Sequence, residues 1–473
     1  MATPTATKRF PHQESGATPF SRSILFQFAL AFALFTAVAD TTSFVGWSPL
    51  AGVIKYAYTA TLVSIMYVYL CRWAAIDWGS PAPALALLFF VVAGLVFAVN
   101  TLVYGEDISY ITAFAAPLVF AAALVIPRNA FEVDVDRITD QLMRFFAIAV
   151  FVYLVESFLK TSSIAPRLFS PEMEHVKSIV CVLAVSLCVL LERYRQAGVL
   201  VGLIAVALLA RPTSMLLIGL VVGVGLALAL KTRRWRLAKF VSYTTLVVMA
   251  VSPLFFYYYF DAMAETVRGF EPFIKGDVLG GKSNTEFRLA VFKLALMPLD
   301  KSMLFGLGLS GDPNVPLGLI FPWWRDVVPD GTVLIHSDFL VILGQSGLVG
   351  YGLFVAFLWL MLAHRFSVLK KSPPADPKSA ALIYLSLIAI VSFILYSSFN
   401  PFLPLYHTNH ILWLVLLVSE LVTKRALAAR AEPQLRWRVR RLAVPGREPR
   451  RYVGSTNKDQ AHAPNAAPPQ RLG

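Results

Sequence analysis

Charged residues are scarce in this sequence. Of its 473 residues only 15% are Asp, Glu, Lys or Arg and 57% are hydrophobic, whereas an ordinary soluble domain carries about 25% charged residues. The mean hydropathy is +0.65. The apolar residues come in repeated runs of roughly 15 to 25, the length of a membrane-crossing helix. A soluble domain is therefore excluded, and the sequence predicts an all-α polytopic membrane protein.

Cysteine is also scarce, and metal-ligand spacings are missing. The three cysteines are Cys71, Cys181 and Cys188. Cys181 and Cys188 are two turns apart on one predicted helix, about 10 Å, which is too far for a disulfide bond. No His-x-x-x-His pair occurs, and the acidic residues of the predicted outer segments show no ligand spacing. The sequence therefore predicts no disulfide framework, no metal site and no cofactor.

The apolar runs between charged or Pro- and Gly-rich breaks predict about twelve spans. They lie near residues 24–39, 49–70, 83–103, 109–126, 143–159, 178–191, 197–210, 213–230, 239–260, 338–363, 380–399 and 409–422. The first run follows basic residues and precedes small ones at 37–39, which fits an uncleaved signal anchor or a cleaved signal peptide. The chain then divides into an N-terminal tail, spans one to nine, a large loop, spans ten to twelve, and a disordered basic tail: 1–23, 24–260, 261–337, 338–422 and 423–473.

Lysine and arginine are distributed unevenly over this topology. With the N-terminus inside, the inner segments before the tail carry 18 of them, and the short outer loops carry 4: Lys160, Arg167, Lys177 and Arg211. Another 12 of the 42 lie in the tail after Val422. The positive-inside rule therefore places both termini in the cytoplasm. The net charge of +14 is better explained by topology and contact with membrane lipid than by nucleic-acid binding.

The outer segment 261–337 is long for a loop between spans, and such loops are usually functional. Phe287, Val291 and Leu294 form an apolar stripe at helical spacing, which predicts a short amphipathic helix that ends at Pro298. Turn residues follow, and then two tryptophans at 323 and 324 suited to the membrane interface. We therefore expect a periplasmic loop that carries an amphipathic helix at the outer membrane surface.

Two arginines and a histidine share this predicted outer surface. Arg211 lies in the tight reversal between the seventh and eighth spans, Arg288 on the amphipathic helix, and His336 two residues before the tenth span. Guanidinium groups bind phosphate oxygens bidentately, so two of them could hold a diphosphate leaving group. An imidazole could remove the proton of an attacking hydroxyl. The residues favour chemistry on an anionic, lipid-anchored substrate; contact with lipid phosphates alone is the simpler interpretation.

Three segments resemble landmarks of one family. His336-Ser-Asp-Phe-Leu-Val-Ile-Leu-Gly-Gln-Ser-Gly-Leu-Val-Gly350 resembles the motif after the large periplasmic loop of O-antigen ligases and of O-antigen or exopolysaccharide polymerases. Ala210-Arg-Pro-Thr-Ser214 is similar to the Ser-Arg-Thr type turn of that family. The stretch from Arg288 through Pro298 to Gly306-Leu-Gly308 is similar to its Arg…Pro-Leu-x-Gly-x-Gly stretch. The resemblance covers residues 200 to 365, with the same order and sidedness.

The resemblance implies an inverting, metal-independent glycosyltransferase of the bacterial inner membrane. It would pass a glycan from undecaprenyl diphosphate to an acceptor hydroxyl, as a polymerase or as a ligase. Arg211 and Arg288 would engage the diphosphate, and His336 would activate the acceptor. Gln345 stands where the family commonly has a Glu, so any role of that carboxylate is absent or moved to Asp338. Lys282, a further cation of the loop, completes the substrate-binding candidates.

Partners and alternatives follow from the same features. The expected partners are undecaprenyl-diphosphate-linked oligosaccharide, membrane lipid, and a chain-length regulator or flippase of the same pathway. One alternative is a lipid-linked glycan flippase or another polysaccharide exporter, which also needs about twelve spans and cationic residues. Such a protein should carry charges at several depths along a central cavity. The other alternative is a non-catalytic partner in an exopolysaccharide assembly.

Overall fold

The computed structural model describes residues 134–161, 174–210, 214–270, 337–371, 376–398 and 415–424, with short pieces between 277 and 334. The chain forms two units, Met1–Ala428 and Ala429–Gly473, and every described residue lies in the first. The predicted spans one to four and nearly all of the predicted tail lie outside the described residues.

Helices make up most of the described part. They are α1 (Val135–Thr161), α2 (Glu174–Leu190), α3 (Tyr194–Ala210), α4 (Ser214–Lys231), α5 (Trp235–Phe270), α6 (Pro298–Lys301), α7 (Asp338–Lys371), α8 (Pro377–Ser397) and α9 (415–424). Two antiparallel strand pairs between α5 and α7 were not predicted: β1 (Asp277–Val278) with β2 (Lys282–Ser283), and β3 (Asn314–Pro316) with β4 (Thr332–Leu334). The bundle is thus all-α, and the segment between α5 and α7 adds short strands.

Among the described residues, four stretches of helix are long and apolar enough to cross a membrane: Val135–Val155, Trp235–Tyr259, Ser346–Lys370 and Pro377–Ser397. Three shorter apolar stretches accompany them: Ser178–Leu190, Tyr194–Leu209 and Met215–Lys231. Each predicted span from the fifth to the twelfth coincides with one of the helices α1 to α5 or α7 to α9. The chain is therefore a membrane protein with transmembrane helices, as the sequence predicts.

Large apolar side chains cover the outside of the bundle. Leu209, Val221 and Phe240 are 86%, 74% and 68% exposed. Side chains of this kind are costly in water and favourable against hydrocarbon. The exposed surface thus fits a lipid environment.

Two helices form the centre of the bundle. The candidate span of α8 is 83% buried, whereas that of α5 is only 22% buried. In α2, residues 178–190 are all buried, and this helix packs against α1, α3, α4 and α8. Cys181 and Cys188 lie buried within α2 and form no disulfide bond with each other.

The bundle has two chemically different ends. The connections α2–α3, α4–α5 and α7–α8 meet at one, where Glu192, Lys231, Lys370 and Pro377 line a common space; we name it the basic end. At the other, which we name the loop end, the Tyr396 hydroxyl of α8 donates to the Met215 carbonyl of α4 at 3.1 Å. The charge bias of the sequence predicts that the basic end is cytoplasmic.

An N-cap begins α8 at the basic end. The Asp376 carboxylate accepts from the N–H groups of Lys378 at 3.3 Å and Ser379 at 2.8 Å. Partial burial acts to raise the pKa of Asp376, but these N–H groups outweigh it and hold the pKa below its ordinary value. Pro377 occupies the first turn, where a missing N–H costs nothing.

Backbone breaks change three predicted boundaries. Tyr259 has non-helical angles (φ −119°, ψ 22°), and α5 continues beyond it to Phe270, into the predicted loop. Gly347 interrupts α7, so the span predicted from 338 is divided and its membrane-crossing part starts at Ser346. Helical structure was predicted to stop at Pro298, but α6 begins there, because proline is tolerated in a first turn. The hydropathy of the sequence does not predict these three features.

Replacement of Gly223 by Ala should destabilise the bundle. A Cβ there would lie 2.3 Å from the Val182 Cγ1 of α2, and Val182 is fully buried, so α4 must move away from α2. We expect a loss of about 1 to 3 kcal/mol. Gly225→Ala is the matched control, because a Cβ there meets nothing within 4 Å. Thermal unfolding of both variants in the same detergent measures the effect, and equal midpoints would contradict this close packing.

Candidate functional site

A helix break in α7 is the first feature of the loop end. Gly347 has φ 61° and ψ −169°, a region of backbone space that is open essentially to glycine alone. In an unbroken helix the N–H groups of Leu348 and Val349 would donate to the carbonyls four residues earlier. At the break these two N–H groups have no acceptor within the helix, so they can donate to another segment of the chain.

A distant backbone segment accepts both donors. The Met303 carbonyl accepts from Leu348 N–H and the Leu304 carbonyl from Val349 N–H, each at 3.0 Å. The side chains of residues 303–305 remain exposed, so the backbone makes the contact. Because a buried N–H without an acceptor costs free energy, this pairing stabilises the break and fixes the segment 303–305 on α7.

The same segment is anchored to α5. The Phe292 ring packs edge to face on Phe256, with centroids 5.5 Å apart. The Tyr257 hydroxyl donates to the Asp300 carboxylate at 2.8 Å. The residues between 292 and 305 are thus tied both to α5, just before its break at Tyr259, and to the break in α7.

A tyrosine joins α5 and α7 directly. The Tyr351 hydroxyl donates to the Ala250 carbonyl at 2.6 Å and is buried. Phe339, in the first turn of α7, packs edge to face on Tyr351 and on Phe354. The short helix before Gly347 therefore folds back on the span that follows it.

The start of α7 carries two buried polar residues. The Ser337 side chain caps the helix by accepting from Leu340 N–H at 3.3 Å. Asp338 is in the first turn and has no exposed surface, at the end where the helix dipole favours a negative charge. Direct contact between a substrate and Asp338 therefore requires the first turn of α7 to open.

Two of the predicted catalytic residues directly adjoin described residues, and the third is four residues from one. Arg211, Arg288 and His336 lie outside the described part, so the structure does not test whether their side chains meet. Their chain neighbours are placed: α3 ends at Ala210, Phe292 contacts α5, and Ser337 caps α7.

The described flanks of Arg211 are the end of α3 and the start of α4. Met215, one residue into α4, accepts from Tyr396 in the last turn of α8. Since α8 runs antiparallel to α7, its last turn lies at the end where α7 begins. The described flanks of all three predicted catalytic residues therefore lie at the loop end.

Lys282 lies within a sequence pattern that is typical of phosphate-binding loops. Residues Gly276 to Ser283 have the spacing Gly-x-x-x-x-Gly-Lys-Ser of a phosphate-binding loop. In such loops a helix follows directly and its N–H groups hold the phosphates. Here Lys282 and Ser283 form β2 and pair with β1. Lys282 and Ser283 would begin that helix, but both are in a strand, and β2 places only the backbone of Lys282.

A buried ion pair was missed at the sequence level. The Arg365 guanidinium of α7 lies 2.6 Å from the Glu420 carboxylate of α9, and both side chains are 1% exposed. Arg365 also donates to Thr423 at 3.1 Å, and His364 lies 3.4 Å from Glu420. In the sequence Glu420 is an isolated carboxylate in the last apolar run, whereas Arg365 is one of several cations in a predicted inner loop.

The ion pair lies far from the candidate site. Eighteen residues separate Gly347 from Arg365 along α7, and a helix rises about 1.5 Å per residue, so roughly 27 Å separate them. This is close to the thickness of a bilayer core. The pair therefore belongs to the basic end.

Comparison with known proteins does not assign the chain to a family. No protein-family model matches the sequence, and no curated protein matches it. No group of three or more His, Cys, Asp or Glu side chains that could hold a metal ion occurs in the described part of the chain. The function is therefore inferred from the residues of the chain itself.

Replacement of Gly347 by Ala should release the loop segment from α7. An alanine is strained at this φ and ψ, at a cost of about 1 to 3 kcal/mol, and relaxation to a regular helix removes the two donors from Met303 and Leu304. We expect a lower melting temperature and faster proteolysis near residues 303–305. Gly352→Ala is the control, because a Cβ there meets nothing within 4 Å. Unchanged protease sensitivity in Gly347→Ala would contradict the anchoring.

Removal of one partner of the buried ion pair should destabilise the bundle more than removal of both. Glu420→Met leaves the buried Arg365 without its counter-ion, at a cost of about 3 to 5 kcal/mol, and Arg365→Met leaves Glu420 with His364 in place of the guanidinium. The double variant should recover most of this loss. A double-mutant cycle on thermal unfolding in detergent measures the coupling, with Lys370→Met as an exposed control on the same helix. Additive single effects would show that the pair is not coupled.

Proposed function

We propose that the chain is a membrane glycosyltransferase that transfers a glycan from undecaprenyl diphosphate to an acceptor hydroxyl. The observation that carries the proposal is the anchoring of residues 292–305 between α5 and α7 at the loop end. Arg288 precedes Phe292 by four residues, and chain connectivity keeps it within about 14 Å of that anchor. His336 directly precedes the cap of α7.

The proposed chemistry needs two cations and one base. The acceptor hydroxyl attacks the anomeric carbon on the face opposite the diphosphate, and its proton passes to the His336 imidazole. The bond between the anomeric carbon and the diphosphate oxygen breaks, so the configuration inverts. Arg211 and Arg288 stabilise the charge on the departing undecaprenyl diphosphate. Lys282 supplies a further cation, and Asp338 is the carboxylate nearest to the base in the sequence.

The proposal includes a topology. Twelve spans in the bacterial inner membrane, with both termini in the cytoplasm, put the loop end in the periplasm. The cations at the basic end support this orientation through the positive-inside rule. A lipid-linked glycan would keep its diphosphate at the periplasmic surface, beside the segment anchored on α7. Polymerase and ligase activities both fit, with a chain-length regulator or a flippase as partner.

A lipid-linked glycan flippase or exporter is the second candidate. The buried Arg365–Glu420 pair favours it, because intramembrane charges often mark a transport pathway. The pair is, however, neutralised within the protein and sits near one end of its span. A flippase requires further charges along the path between the two ends. The predicted spans carry few charged residues, so the glycosyltransferase is favoured.

His336→Ala should abolish glycan transfer. The assay uses purified protein with undecaprenyl-diphosphate oligosaccharide and acceptor, with and without chelator, and measures released undecaprenyl diphosphate. Loss of a general base should lower the rate by about 100-fold or more. Arg288→Lys should recover only part of the activity, because an ammonium keeps the charge but loses the planar pair of donors.

Arg195→Ala is the matched control for the arginine variants. Arg195 is exposed near the start of α3, at the basic end, and its loss should leave the rate unchanged. Normal transfer by His336→Ala, at equal protein abundance, would contradict the proposal. Movement of labelled lipid-linked glycan across proteoliposomes, without release of undecaprenyl diphosphate, would support the flippase.

A further inference from the structure

The basic end contains a cavity of about 720 Å³ between the α4–α5 turn, the end of α7 and the start of α8. This volume is in the range of small-molecule sites, about 300 to 1,000 Å³. Five cations and one acid are among its lining residues: Lys231, Arg233, Arg236, Lys239, Lys370 and Glu192. The cavity therefore carries a strong excess of positive charge.

The single acid is already engaged. The Glu192 carboxylate lies 3.3 Å from Lys231 Nζ, which also donates to the Val189 carbonyl and the Tyr194 hydroxyl. The other four cations of the cavity have no carboxylate within ion-pair distance in the described part of the chain. Their mutual repulsion is relieved by an anion, so the cavity favours an anionic ligand.

The turn between α4 and α5 brings Arg233 to the cavity. Arg233 has φ 58° at the end of α4, a left-handed position at which glycine is usual. The turn is closed by Arg233 N–H to the Leu230 carbonyl at 3.1 Å and Arg234 N–H to the Ala229 carbonyl at 2.8 Å. An arginine thus occupies a position where glycine would be less strained, and its side chain lines the cavity.

Aromatic rings form an apolar wall below the cations. Trp235 packs edge to face on Tyr384, with centroids 5.9 Å apart, and Lys239 lies over the Phe366 ring at 5.7 Å. The apolar stretch Trp235–Tyr259 begins here and the stretch Ser346–Lys370 ends here, so the predicted orientation puts these rings at the level of the lipid headgroups. A lipid headgroup complements both surfaces, because its phosphate can lie beside the cations while its glycerol packs against the aromatic rings.

We propose that this cavity binds the phosphate group of an anionic phospholipid. The guanidinium groups of Arg233 and Arg236 contact the phosphate oxygens, and Lys239 and Lys370 complete the charge balance. Trp235 and its aromatic neighbours contact the glycerol and the first carbons of the acyl chains. The site is at the opposite end from the proposed transferase site, so either proposal can fail without the other.

The experiment uses the full-length protein in neutral detergent and native mass spectrometry with short-chain phosphatidylglycerol. The test variant is Arg233→Gly with Arg236→Gln, because glycine keeps the left-handed turn and prevents a folding defect there. The control variant is Arg234→Gln with Arg195→Gln, which removes two charges from the same end outside the cavity lining. We expect the affinity to fall about 30-fold in the test variant and under about twofold in the control.

Two further arms identify the source of the phosphate. Phosphatidylcholine, with no net charge, should bind far more weakly than phosphatidylglycerol, and inorganic phosphate should compete with the lipid. Equal affinity in the test and control variants, or equal binding of the two lipids, would overturn the proposal. Arginine-dependent binding of inorganic phosphate without binding of phosphatidylglycerol would overturn the lipid as the source and leave a site for free phosphate.

Discussion

Backbone hydrogen bonding at the break in α7 is the constraint on which the loop end depends. The N–H and C=O groups of a membrane helix form hydrogen bonds with each other. A break leaves N–H groups unpaired, and the hydrocarbon of the bilayer offers them no acceptor. Gly347 makes the break sterically accessible, and the Met303 and Leu304 carbonyls make it energetically tolerable. The segment between α5 and α7 is therefore held at the loop end by a requirement of α7 itself.

Tyrosine hydroxyl groups extend this arrangement into the bundle. Tyr351 joins α7 to the Ala250 carbonyl of α5, and Tyr396 joins α8 to the Met215 carbonyl of α4. In each case the tyrosine ring packs in the apolar interior, and its hydroxyl donates a hydrogen bond to a backbone carbonyl near the loop end. Two pairs of helices are thereby joined near that end, α5 with α7 and α4 with α8.

Hydropathy was enough to predict the helices from α1 to α5 and from α7 to α9, because long apolar runs have few alternatives in a membrane. It did not predict the break at Gly347, since a glycine in an apolar run looks the same whether its helix is straight or broken. The pairing of Arg365 with Glu420 depends on α7 and α9 being neighbours, which is a tertiary fact. The juxtaposition of Arg211, Arg288 and His336 stays a prediction.

Cations at the basic end fall into two electrostatic classes. Arg365 has its counter-ion within the protein, so its charge stabilises the association of α7 with α9 and needs no external partner. Arg233 and Arg236 line a cavity whose acid, Glu192, is already paired with Lys231, and they have no carboxylate within ion-pair distance among the described residues. The positive-inside rule counts all three alike as topology signals. Only the position of the counter-ion separates a structural cation from one that is free to bind a ligand.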